Sequence, residues 1–292
     1  MRTEVLDIDV QVAGPPDGWP VLLLHGFPYS PPSYEAVVTT LIEHRARVVV
    51  PFLRGFGPTR FRSPDAPRSG QQGAIGTDAV DLIDAMSLAS PIVVGYDWGG
   101  RAACVAAVRW PEKIGALLAI GGYEIQDIAA SGEPAVPLTE SRAWYQYYLH
   151  SERGRAGLTR YRREIAAQLW HEWAPGRPFD PAAFERCAPA FDNPDYVDVV
   201  VHSYRHRFGL AEGDPRYAEV EAVLATTPTI DVPSIVLDPT EDPMTAPSDR
   251  RHHERHFTRL LDHRLVSSGH DMPHDAPSAV ARAILDLHDR AS

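Results

Sequence analysis

Two cysteines, a single lysine and no long apolar run set the first limits on this chain of 292 residues. Cys104 and Cys187 are too few and too far apart for a disulfide framework or a zinc site, so both read as reduced, structural residues. No stretch approaches the roughly 18 consecutive apolar residues of a membrane span. The start, Met1-Arg2-Thr3-Glu4-Val5-Leu6-Asp7, lacks the apolar heart of a secretory signal. A cytoplasmic protein with no membrane partner is the expectation. Positive charge is also short, since 28 basic against 39 acidic side chains leave a net −11. That balance repels phosphate backbones and anionic lipid, and so argues against nucleic acid as a partner. Lys113, alone among many arginines, carries no chemistry. Internal repeats and low-complexity tracts are absent. So is a nucleotide loop, because Gly95 to Gly100 has neither the lysine nor the downstream acid that such loops need.

What is present suits one large domain carrying an insertion: 44% of residues are hydrophobic and 9% aromatic. The first part alternates short β-branched runs with helical patterns, the rhythm of a doubly wound, mostly parallel α/β sheet. Val21–Leu24, Arg47–Val50, Pro91–Val94 and Ala116–Ile120 are predicted strands, continuous because both faces are covered. Tyr34–His44, Gly76–Leu88 and Gly99–Trp110 carry helical periodicity. From about Ile125 to Ile230 the segments are helical, rich in Trp, Tyr and Arg, and broken by prolines. Strands return at Ser234–Leu237 and Arg264–Ser267. The reading divides the chain into a core at 1–125, a helical cap at 126–230 and the rest of the core at 231–292, with the cap over the carboxyl ends of the strands.

Val93-Val94-Gly95-Tyr96-Asp97-Trp98-Gly99-Gly100 is a strand followed at once by Gly-x-Asp-x-Gly and a small-residue helix, the pattern of a nucleophile elbow. The central residue is Asp97. A carboxylate is ionised at neutral pH, needs no base to become a nucleophile, and forms an ester with an alkyl carbon. The competing, lesser reading is a strand-end aspartate that caps the following helix. With its surroundings the chain resembles, over nearly its whole length, the α/β-hydrolase superfamily, and within it the epoxide hydrolase and haloalkane dehalogenase branches. The resemblance implies an α/β-hydrolase fold. His25-Gly26-Phe27-Pro28 resembles the oxyanion loop, which assigns the Phe27 and Trp98 amides to the oxyanion hole. Arg54-Gly55-Phe56-Gly57 resembles a structural loop beside the site, without chemistry of its own.

Leu237-Asp238-Pro239-Thr240-Glu241-Asp242-Pro243 resembles the acid loop and places the acid at Asp242, with Glu124 as a reserve. Ser268-Gly269-His270 resembles the motif of the base, and the order Asp97, Asp242, His270 matches nucleophile, acid, base. His274 is expected only to pack or cap. His252 and His256, one turn apart, suit a solvated helix face better than a metal site. The cap decides the electrophile, because an epoxide oxygen needs a positioned acid in the transition state. Tyr145-Gln146-Tyr147-Tyr148-Leu149 resembles the first tyrosine segment of epoxide hydrolases, with the donor aligned to Tyr148, and His202-Ser203-Tyr204 resembles the second. Tyr147 is the competing position for the first donor. The expectation is therefore an epoxide hydrolase acting on a small-molecule epoxide to give a vicinal diol, with no metal or organic cofactor required. A homodimer is compatible with the sequence, which fixes no oligomeric state. The alternatives are a dehalogenase using the same Asp97 and a ligand-binding protein without catalysis. Trp98, where halocarboxylate dehalogenases carry a basic residue, speaks against that substrate class, although Arg101 suits a carboxylate. A serine esterase is weakest, because aspartate replaces serine at the elbow.

Overall fold

The computed structural model describes residues 1–291. In chain order the first strands are β1 (Leu6–Asp7), β2 (Val10–Ala13) and β3 (Trp19–Leu24), followed by α1 (Glu35–Glu43), β4 (Ala46–Pro51) and β5 (Arg60–Phe61). Next come α2 (Gln72–Ala85), β6 (Ile92–Tyr96), α3 (Asp97–Arg109) and β7 (Ala116–Ile120). Seven strands form one sheet in the order β2-β4-β3-β6-β7, continued by β8 (Ser234–Pro239) and β9 (Leu260–Val266). Only β2, paired with β4, runs antiparallel within it. Every residue of β6, β7 and β8 is buried, as a parallel sheet covered on both faces requires. Two helix pairs supply much of that cover: α2 packs on α3, and α1 on the terminal helix running from Pro277 to Ala291.

The six predicted strands are present, each within a few residues of its expected bounds. Unforeseen were β1, β2 and β5. Two of these are only two residues long, and β2 is a half-exposed edge strand, so none carries a continuous apolar run.

Between β7 and β8 the described chain is wholly helical: α4 (Pro137–Arg142), α5 (Trp144–His150), α6 (Glu152–Glu172), α7 (Pro181–Cys187), α8 (Tyr196–His206) and α9 (Ala218–Leu224), with short 3-10 turns. Pro181 sits in the first turn of α7, where its missing N–H is no loss, and Asp180 caps that helix by accepting from the Ala182 and Ala183 amides. The segment is tied to the core by polar contacts. Trp170 Nε1 donates to Pro28 O at 2.8 Å, and Asn193 Nδ2 to Gly57 O and Thr59 O at 2.9 and 2.7 Å. After β8 come α10 (Arg250–His253), then β9, α11 (Met272–Asp275) and α12 (Pro277–Ala291). The chain reverses direction across the sheet between β3 and β6, which places a crevice at their carboxyl ends.

Candidate active site

Strand β6 turns into α3 at Asp97, whose φ of +51° lies in the left-handed region that costs a residue with a Cβ. The turn is held because nothing larger than glycine fits beside it. A Cβ on Gly95 would stand 2.1 Å from Gly99 O, and one on Gly99 2.0 Å from Leu24 O. The helix thus starts against β3 and β6, with the aspartate at its amino end, where the backbone dipole favours negative charge.

From the end of β3, the Phe27 amide donates to Asp97 Oδ1 at 2.7 Å. The loop that presents it is pinned by His25, whose Nδ1–H donates to Gly26 O at 2.9 Å while Nε2 accepts from the Leu53 amide at 3.1 Å. Burial holds this imidazole's pKa down at about 4, so it stays neutral and keeps that tautomer. Phe56 lies edge-on to both His25 and Trp98, which makes its loop part of the site's floor. Arg54 fixes the same loop through two bonds to Asp78, at 2.6 and 2.7 Å, and one to Ser69 O at 2.7 Å.

His270 reaches the site from the turn after β9. Its Nδ1 donates to Asp242 Oδ2 at 2.8 Å, and Asp242 uses its other oxygen to accept the Met244 amide at 2.8 Å. Asp242 therefore both opens the Asp-Pro turn and pairs with His270. His270 Nε2 has no hydrogen-bond partner and stands 3.6 Å from Asp97 Oδ2, too far for a bond. Burial works against the imidazolium, but the charge and hydrogen bond of Asp242, with Asp97 behind them, raise the His270 pKa well above its ordinary value. Burial likewise opposes the Asp97 anion, yet His270 and the Phe27 and Trp98 amides outweigh it and lower the Asp97 pKa. Fifteen per cent of the Asp97 side chain is accessible, whereas Phe27, Trp98 and Tyr204 around it are buried.

Glu124 does not approach His270 Nδ1, whose bond goes to Asp242. Instead it lies 3.7 Å from Arg101, and burial pushes its pKa up to about 7. Arg101 is buried, one helical turn beyond Asp97. Its own pKa falls to about 10 through burial and then the nearby Arg207 charge. His274 is remote from this chemistry, 3.9 Å from Asp180.

The cap tyrosines need one correction. Tyr204 lies beside Phe27 and Trp98, fully buried, with its ring 5.5 Å from the first and 6.0 Å from the second. The ring that joins it is Tyr145, at 5.3 Å and edge-on, itself stacked against Phe27 at 6.2 Å. Tyr148 points elsewhere: its hydroxyl occupies the space a Cβ on Gly157 of α6 would fill, and its ring neighbour is Trp144. Tyr147 is exposed, with its hydroxyl donating to Glu140. The reason is phase. The buried arc of the seven-residue α5 runs through Tyr145, Leu149 and Gln146, and at about 100° per residue Tyr148 falls about 60° outside it, on the side of Trp144. The i, i+4 pairing of Tyr145 with Leu149 was the available signal. The Tyr145 hydroxyl accepts Gln146 Nε2 at 3.0 Å, which leaves its own proton to give, and the Tyr204 hydroxyl has no partner. Burial and then Asp97 raise the Tyr145 pKa to about 12; burial, Tyr145 and Asp97 raise that of Tyr204 well above its ordinary value, so both phenols stay protonated. Sequence reasoning also missed Trp173, whose ring lies 4.7 Å from His270 and 5.3 Å from Tyr145.

Comparison with known proteins agrees with this architecture. Residues 20–277 match the family described as the alpha/beta hydrolase fold. A crystal structure of a candidate epoxide hydrolase from Klebsiella pneumoniae subsp. pneumoniae is 37% identical over 99% of this chain and 96% of its own, with a TM-score of 0.95. A candidate epoxide hydrolase from Pseudomonas aeruginosa, 20% identical at a TM-score of 0.83 over 100% and 94% of the two chains, shares the fold. Epoxide hydrolase 2 of Siraitia grosvenorii is 34% identical over 111 residues, which are 38% of this chain and 34% of that protein, so the match spans about a third of the curated relative.

Proposed function

The chain belongs to the α/β-hydrolase fold family, among relatives named epoxide hydrolases, and on that premise we propose that it converts an epoxide to a vicinal diol through an ester on Asp97. The observation that carries the reading is the pairing of Tyr145 and Tyr204, two protonated phenols, opposite a carboxylate that is held ionised. Because Oδ1 is engaged by the Phe27 amide, Oδ2 is the attacking atom. It forms a bond to an epoxide carbon, that carbon's bond to the ring oxygen breaks, and the oxygen takes a proton from a tyrosine. The product of this step is a hydroxyalkyl ester of Asp97.

His270 Nε2, unpartnered and backed by Asp242, then accepts a proton from water, whose oxygen attacks the ester carbonyl. Negative charge develops on Oδ1, where the Phe27 and Trp98 amides receive it. Collapse of this adduct releases the diol, and the proton held by His270 restores the phenol. The helical segment between β7 and β8 serves as the cap that holds the two phenols over the nucleophile. In His270→Gln the first step survives and the second does not. Mass spectrometry after exposure to styrene oxide should find the Asp97 peptide heavier by one epoxide, and an adduct on another residue would refute the assignment.

A dehalogenase is the second reading, favoured by the buried indole N–H groups of Trp98 and Trp173, neither of which has an acceptor among the described residues. Two such donors suit a departing halide. Halide release from a chloroalkane, without diol formation from epoxides, would select it.

A further inference from the structure

Away from the catalytic group, β8, β9 and α10 bring one carboxylate and two imidazoles to a single point. Asp238 is the penultimate residue of β8, and its Oδ2 lies 2.9 Å from His253 Nε2 and 3.2 Å from His263 Nε2. The three atoms lie within 4.8 Å of one another. In the parallel pairing of β8 and β9, His263 is level with Val236 and Leu265 with Asp238, so Asp238 and His263 share one sheet face. His253, at the end of α10, covers it from above. Asp238 and His253 are buried to within a few per cent, and the His263 side chain is 9% exposed.

Hydrogen bonding satisfies one carboxylate oxygen of this cluster and leaves two of its buried polar atoms without a partner among the described residues. Oδ2 serves three donors, the two imidazoles and the Ser248 amide at 2.8 Å, while Oδ1 of the same buried carboxylate has none. His253 Nδ1 is also unpartnered, and Gly122 leaves the space beside it open, since a Cβ there would meet the His253 ring at 2.8 Å. Two donors each about 2.0–2.1 Å from a tetrahedral ion stand about 3.3–3.4 Å apart, near the 3.2 Å between Asp238 and His263 and a few tenths of an ångström more than the 2.9 Å between Asp238 and His253. We propose that Asp238, His253 and His263 form a site for a divalent transition metal of the zinc class, clamping β8, β9 and α10. Two imidazoles and one carboxylate suit Zn²⁺ or Co²⁺ rather than Mg²⁺ or Ca²⁺. The clamp sits at the base of the loop from Thr240 to Asp249, which carries Asp242, and so its role is structural.

The test uses the full chain, stripped with a chelator and titrated with Zn²⁺ by calorimetry. The site should take one equivalent per chain with micromolar or tighter affinity and raise the melting temperature. In His263→Gln, checked for folding by circular dichroism, binding should weaken by about tenfold or more. His252→Ala removes an exposed neighbour that pairs with His256 and should leave binding unchanged. Co²⁺ added to the unmodified chain should give the intense visible bands of a tetrahedral site, a readout independent of any variant. The proposal fails if Zn²⁺ does not bind, if binding is unchanged in His263→Gln, or if Co²⁺ shows only the weak bands of a six-coordinate surface ion.

Discussion

At the residue scale, Tyr145 and Tyr204 are separable from their neighbours by one atom each. Tyr→Phe keeps the ring and its packing but removes the proton, so a lost rate reports chemistry rather than a disturbed cap. General acid assistance contributes about 10²–10⁴-fold, and two donors sharing it should leave partial activity in each single variant and almost none in the double. Tyr148→Phe should open epoxides at the parent rate. Single-turnover quenching of Trp fluorescence measures all three, and a slow Tyr148→Phe with an unaffected Tyr145→Phe would reverse the assignment. His270 gives a second prediction. Against its burial, Asp242 and then Asp97 raise its pKa. Esterification removes the Asp97 charge while Asp242 remains, so the pKa must fall in the intermediate. A base acts when neutral, hence ester hydrolysis should rise with pH and level off at a midpoint below the His270 titration of the free protein, followed by NMR. A midpoint at or above that titration would contradict the account. That Asp97, Asp242 and His270 meet at one point was legible because each follows a strand and is framed by glycine or proline. Tyr145 was not, because four aromatic residues within five positions of a one-face helix give its phase only through Leu149.

At the scale of elements, the loop after β4 depends on one buried ion pair. Arg54 and Asp78 are almost wholly removed from water, and Tyr217 gives the guanidinium a further partner at 3.1 Å. Removing one member of such a pair strands the other charge and typically costs about 3–5 kcal/mol. Asp78→Asn should therefore lower the unfolding free energy in urea by an amount of that order. A change near zero would mean that the loop beside Phe56 is held by packing alone. The sequence motif around Arg54 marked the loop but not its partner, since Asp78 lies a helix away and nothing in its local pattern announces a burial. The buried strands β6, β7 and β8 were legible from continuous apolar runs. The two-residue strands were not, because pairing across space, not local preference, makes them.

At the scale of the molecule, a strand order that reverses between β3 and β6 brings Asp97 and the Phe27 loop to one point, beside which the helical segment between β7 and β8 places Tyr145 and Tyr204. The alternation of strand and helix made the sheet legible, and the break in that rhythm near Ile125 marked the insertion. How the insertion lies on the core was not legible, because its ties, such as Trp170 to Pro28 and Asn193 to Gly57, join residues more than a hundred positions apart. The central claim, a covalent ester on Asp97, is tested most directly by one turnover in H₂¹⁸O with protein in excess over epoxide. Water attacks the Asp97 carbonyl in this account, so the label should enter the Asp97 carboxylate and the first diol should carry none. Label in that first diol with an unlabelled Asp97 would mean that water attacks the epoxide directly, and the ester mechanism would be wrong.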